Sequence, residues 1–181
     1  MSVTNLLAPT YHQMLSALAT WLRKAQAQVA DPDTLMSERL APDMFPLATQ
    51  VRFACRQAHE GVHRLRHQAF PAAVDDLLTE GRQGGERPGT IGDAVIRIEE
   101  TIAFLDTLTP DALDDGAAQP LSLELPIGVT FDMSGEQYAR DWALPQFYFH
   151  VVTAYAILRN RGIDLGKADY VPHMFAYRRT E

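Results

Sequence analysis

Apolar residues recur three and four positions apart through four stretches of this chain, and that spacing predicts four long helices. The first covers about 5 to 29, with Leu7, Tyr11, Met14, Leu18, Trp21 and Leu22 on one face and Thr4 or Asn5 as N-cap. Pro9 is tolerated because it falls near the first turn. The second covers about 46 to 69, turning Leu47, Val51, Ala54, Cys55, Ala58, Val62 and Leu65 inward. The third, about 90 to 108, starts on Thr90 with Asp93 in a capping-box position and repeats Ile91, Val95, Ile98, Ile102 and Leu105. The fourth, about 134 to 161, starts on the Ser134 and Gln137 pair and stops at Gly162, where a left-handed cap suits glycine.

The fourth stretch carries the strongest signal. From Trp142 to Gly162, apolar and aromatic residues occupy nearly every helical angle, which predicts a rod buried on most sides and wrapped by the other three. Pro145 should kink it or divide it in two. One histidine, His150, lies inside it.

Between these stretches the pattern breaks. Residues 31 to 46 hold three prolines and several apolar residues, which predicts a long connection folded down over one end of the bundle. Residues 73 to 88 begin with a turn or two of helix and dissolve at Gly84 and Gly85. From 121 to 133, Leu121, Leu123 and Leu125 alternate with polar residues, then Val129, Phe131 and Met133 do so across Pro126-Ile127-Gly128, which predicts a β-hairpin. The tail beyond 162 has scattered aromatics without a period. The expected fold is all-α: one domain over 1–181, a four-helix bundle with a short hairpin before the last long helix.

Composition narrows the partners. The net charge of −7 argues against nonspecific binding to nucleic acid or to an anionic membrane surface. No apolar run is long enough to span a membrane, and no basic-then-apolar leader opens the chain. A single cysteine, Cys55, excludes an internal disulfide and fits a cytoplasmic protein.

Three histidines at spacing four, His59, His63 and His67, suggest a metal stripe on the second helix. Their angles place His59 at the edge of the inner face and the other two toward solvent, among Arg52, Arg56, Arg64 and Arg66. Clustered positive charge disfavours a cation there, so they read as a solvated face. Cys55 reads as a small buried hydrophobe, and Glu99 and Glu100, about 100° apart, as surface carboxylates.

The segments LAPDMFPLATQV, TIAFLDTL and TFDMSGEQYARDWALPQFYFHVVTAYAILRNRGIDLGKADY resemble a bacterial family of domains of unknown function within the DinB/YfiT-like superfamily of metal-dependent enzymes. That resemblance implies a DinB-like bundle that forms a homodimer. It also implies a divalent-metal site built from a histidine on the second long helix and an H-x-x-x-H pair on a later one. Here His150 matches the first member of that pair, and the second falls on Ala154. With two ligands missing, no cofactor is predicted, although a divalent metal is what the superfamily would bring. The functional expectation is a non-catalytic module binding a small molecule or a protein. His150 marks its pocket, with Tyr11 on the first helix and Asp43 at the bundle end as candidate companions. The alternative is a DinB-like enzyme, transferring a thiol or hydrolysing a small substrate through His150.

Overall fold

The computed structural model describes residues 2–179, so the outermost positions of the expected domain, Met1, Thr180 and Glu181, lie outside the described residues. Ser2 starts α1 (Val3–Gln28), its hydroxyl accepting the Asn5 N–H at 3.0 Å. The cap therefore precedes Thr4 and Asn5, and Pro9 sits beyond the first turn. Thr4 is tied elsewhere. Its hydroxyl accepts the Leu113 N–H at 2.8 Å and donates to Asp114 at 2.9 Å, mooring the start of α1 to the turn that leads into the hairpin.

The long connection folds down as expected. A 3-10 turn at Pro32–Ser37 buries Leu35 and Met36, and Asp33 accepts the Ile91 N–H at 2.8 Å, joining this connection to the start of α4 (Ile91–Leu105). Thr90 and Asp93 form the capping box read from the sequence. Helix α2 (Leu47–Leu65) is shorter than expected, because His67 turns into the left-handed region at φ 51°.

The largest departure from expectation comes directly after α2. Residues 72 to 83 form a full helix, α3 (Ala72–Gln83), where only a turn or two was expected. It lies along α2. A side chain at Gly81 would come within 2.2 Å of the Phe53 ring, and the Gly81 carbonyl accepts the buried Thr49 hydroxyl at 2.8 Å. The glycine that argues against a helix by propensity is there to let two helices approach.

That extra helix changes which element is central. Helix α2 packs against α3, α4 and α6 (Leu144–Asn160), and 16 of its 19 residues are buried. Helix α6, expected to be buried on most sides, buries only 7 of its 17. Its Tyr148, Phe149 and Val152 stand exposed. The hub is thus the more polar helix, and the more apolar one lies at the surface on one side.

Strands β1 (Pro120–Glu124) and β2 (Thr130–Ser134) pair antiparallel, Leu121 opposite Met133 and Leu123 opposite Phe131. Ser134 and Gln137 cap the single turn α5 (Gly135–Gln137), which continues through a π-helical turn at Tyr138–Ala143 into α6. The π turn includes residue 141, whose carbonyl the ring of Pro145 would otherwise strike, so the chain passes the proline by widening and not by breaking. Two glycines seat the hairpin. A Cβ on Gly116 would lie 1.9 Å from the Leu65 carbonyl oxygen, and one on Gly135 would lie 2.1 Å from that of Gly116. The tail forms α7 (Lys167–Tyr170), whose Tyr170 stacks on Trp21 while the Asp169 carbonyl accepts the Trp21 indole N–H at 2.8 Å.

Candidate functional site

His150 lies on the face of α6 that meets α2, and the side chain it meets is Gln50. Its Nδ1 is 2.9 Å from the Gln50 Oε1, while the Gln50 amide nitrogen donates to the Phe45 carbonyl at 3.1 Å. The second bond fixes the amide, so its oxygen faces the ring and Nδ1 carries the proton. Phe53 and Phe149 set their edges against the imidazole, each with centroids 5.4 Å away. Burial, helped by the nearby Arg56 cation, lowers the His150 pKa to about 4. The ring is therefore neutral near pH 7, with Nε2 keeping its lone pair.

Tyr11 occupies a different place. It packs against Phe147, one turn before His150, with centroids 4.7 Å apart, and its hydroxyl faces Gly61, where a Cβ would be 2.5 Å away. The hydroxyls of Tyr11 and Tyr138 are both buried without a hydrogen-bond partner, near the buried Glu60. Burial pushes Tyr11 well above the usual phenol range, and burial raises Glu60 although Arg56 and Arg64 pull it down. Arg56 pairs with Glu60 across one turn of α2. Asp43 is exposed in the turn before Phe45, close in sequence to the Gln50 anchor but bonded to none of these groups. The structure thus joins His150 to Gln50, Phe45, Phe53 and Arg56, and sets Tyr11 with Tyr138, Glu60 and Gly61.

The histidine stripe on α2 also needs correcting. His59 and His63 are buried, stacked on Phe104 of α4 at 4.4 and 5.3 Å, and only His67 is exposed. Both nitrogens of His63 and Nδ1 of His59 are without partners. Burial, with His63 adding to it, lowers the His59 pKa to about 4. Arg52, expected on the outer side, is buried against Glu80 of α3. It faces a cleft of about 440 Å³ shared with Asp93, Ile96 and Arg97, and Arg97 pairs with both Glu80 and Glu100. A second cleft, about 270 Å³, runs from His59 to Arg97 and Glu100.

The donor set does not fit the superfamily's metal. His150 offers one nitrogen, Gln50 already spends its amide oxygen on that ring, and Ala154 has no donor at all. Among the described residues, no group of three or more His, Cys, Asp or Glu side chains is placed to hold an ion. A zinc centre requires three or four such ligands.

The helical bundle with its single hairpin is a DinB-like fold. It is similar to the crystal structure of a DinB family member from Shewanella denitrificans, with a TM-score of 0.75 and 30% identity over 93% of this chain and 90% of that one. Residues 4–171 match the model of DUF1993, a domain of unknown function, and the chain belongs to that family. Comparison with curated proteins gives no match.

Gln50, Arg56, Glu60 and Tyr138 are the site residues that the sequence did not single out. Gln50, Arg56 and Glu60 lie on one helix, and their surroundings come from far away in sequence: Gln50 and Arg56 lie by His150 of α6, and Glu60 lies near Tyr11 and Tyr138. Arg56 and Glu60 at spacing four were the available signal.

Proposed function

We propose that this protein is a non-catalytic binding module whose ancestral type of metal site has been replaced by a closed hydrogen-bonded pair. The observation that carries the proposal is the His150–Gln50 contact: the side chain of α2 that reaches the imidazole is an amide engaged on both its ends. Such an amide holds a ring in place and supplies no ligand set. The module acts as a homodimer and takes a small apolar molecule or a protein as its partner. Its single cysteine, reduced and buried, suits the cytoplasm, and no described helix is long and apolar enough to cross a membrane.

The competing reading is a DinB-like enzyme working through His150, and the neutral ring with a free Nε2 is the feature that favours it. Metal analysis of protein purified without chelators separates the two. We expect less than about 0.1 divalent ion per chain, unchanged by His150→Ala. One ion per chain, lost in that variant, overturns the proposal.

A further inference from the structure

Among the long helices described, α6 carries the largest cluster of exposed apolar residues. Pro145, Tyr148, Phe149 and Val152 follow the three-and-four spacing of a helix and are all exposed, with Phe149 56% and Val152 45% accessible. Phe45, 52% accessible, extends this surface through Phe53 and His150 to Phe149 in a chain of ring contacts. A helix that is apolar nearly all round needs cover nearly all round, and this fold covers one side only.

We infer that this face of α6 is the contact between two copies of the chain, related by a two-fold axis with the α6 helices antiparallel. The inference rests on the homodimeric binding module proposed above and names its self-partner surface. Two features favour a second copy over another occupant. The first is area. At about 200 Å² per aromatic side chain, the exposed parts of Phe45, Tyr148, Phe149 and Val152 amount to about 350 Å². A specific interface covers about 800 Å² per partner, of which roughly 56–65% is apolar, so these four residues supply most of what is required.

The second is charge. Asp141, exposed in the π turn that leads into α6 and paired there with Arg140, and Arg159, exposed on α6 and bonded to the Ile163 carbonyl, lie equally far in sequence from His150 and on opposite sides of it. An antiparallel pair centred near Tyr148 and Val152 brings the Arg159 of each copy toward the Asp141 of the other, the self-complementary pattern that a two-fold interface needs. A parallel arrangement would set like charges together. Clefts of about 270 to 440 Å³ lie elsewhere on this molecule, lined by other residues, which favours a broad partner here over a small ligand.

Sedimentation velocity on the full chain tests the inference. The wild-type protein, 20.2 kDa per chain, should sediment as a species of about 40 kDa at micromolar concentration. Val152→Glu and Val152→Arg, both at an exposed position, should weaken association at least about 100-fold while leaving circular dichroism unchanged. A second readout avoids any question of folding. In Val152→Cys, with Cys55 fully buried, a short bis-maleimide should link two chains through the new thiols. A wild-type chain that stays at 20.2 kDa overturns the inference. So does a dimer that survives both charge substitutions, or one that is lost only when residues beyond Val171 are removed, which would move the interface to the tail. A stoichiometric metal ion would overturn the binding-module reading without altering any of these masses.

Discussion

Lowering the pH from 7 to 5 should destabilise this fold by an amount that two histidines fix. His59 and His150 both have pKa values depressed to about 4 by burial, against an unfolded value of 6.5. A base with a depressed folded pKa is favoured in its neutral form by folding. Its contribution is therefore complete above about pH 6.5 and is lost as the pH falls toward 4. At about 1.4 kcal/mol per pKa unit, the fall from pH 7 to 5 costs about 2 kcal/mol for each ring, close to 4 kcal/mol together. That is a large fraction of the 5 to 15 kcal/mol typical of a domain. His63, lowered by burial and by Arg66, acts in the same direction. Glu60 acts oppositely, because its raised pKa makes the folded state take up a proton first.

Urea titrations followed by circular dichroism at pH 7, 6 and 5 measure the slope. The substitution His59→Leu isolates one ring, since Glu60 is retained in both proteins and cancels. As the His59 Nδ1 has no partner, leucine should leave stability at pH 7 within about 1 kcal/mol and cut the loss at pH 5 by about 2 kcal/mol. Asp93, Asp141 and Asp169, whose pKa values are lowered by hydrogen bonds, come into play only below this window. A wild-type stability that is flat between pH 7 and 5, or a His59→Leu protein with the full wild-type slope, would refute the reasoning.

Other substitutions probe the packing and the site. Gly116→Ala should cost at least about 2 kcal/mol, measured as a lowered urea midpoint, because the new methyl group meets the Leu65 backbone and not a movable side chain. Combining Gln50→His with Ala154→His places three imidazoles around one point and should raise zinc content from near zero to about one ion per chain, with a melting temperature that rises on adding zinc. Failure to take up zinc would mean that α2 and α6 hold these positions in a geometry unlike a metal site.

The helices with a single apolar face and a good cap were legible in the chain. Thr90 with Asp93, and Ser134 with Gln137, mark helix starts that the structure keeps, because a capping box depends only on residues three apart. The hairpin was legible for a similar local reason. Helix α3 was legible only as a turn or two ahead of Gly84 and Gly85, since the contact with Phe53 that makes room for Gly81 inside it lies far away in sequence. That shortfall spread. Without α3, Arg52 reads as facing solvent, while His59 and His63 were assigned to a solvated face and Gln50 and Glu60 were overlooked because their partners, Phe104, His150 and Tyr138, lie far away in sequence. The excess apolar character of α6 was legible, but its amount does not say whether the same chain or another covers it.

The grip of α7 on Trp21 has a consequence during synthesis. The indole finds its acceptor 148 residues further along, at the Asp169 carbonyl, and Tyr155 and Tyr170 complete its surroundings. While a ribosome is still translating the middle of the message, the first helix has nothing to close over its widest side chain. Native closure waits for the nascent chain to emerge past Tyr170, and until then Trp21 is exposed to any chaperone near the exit tunnel.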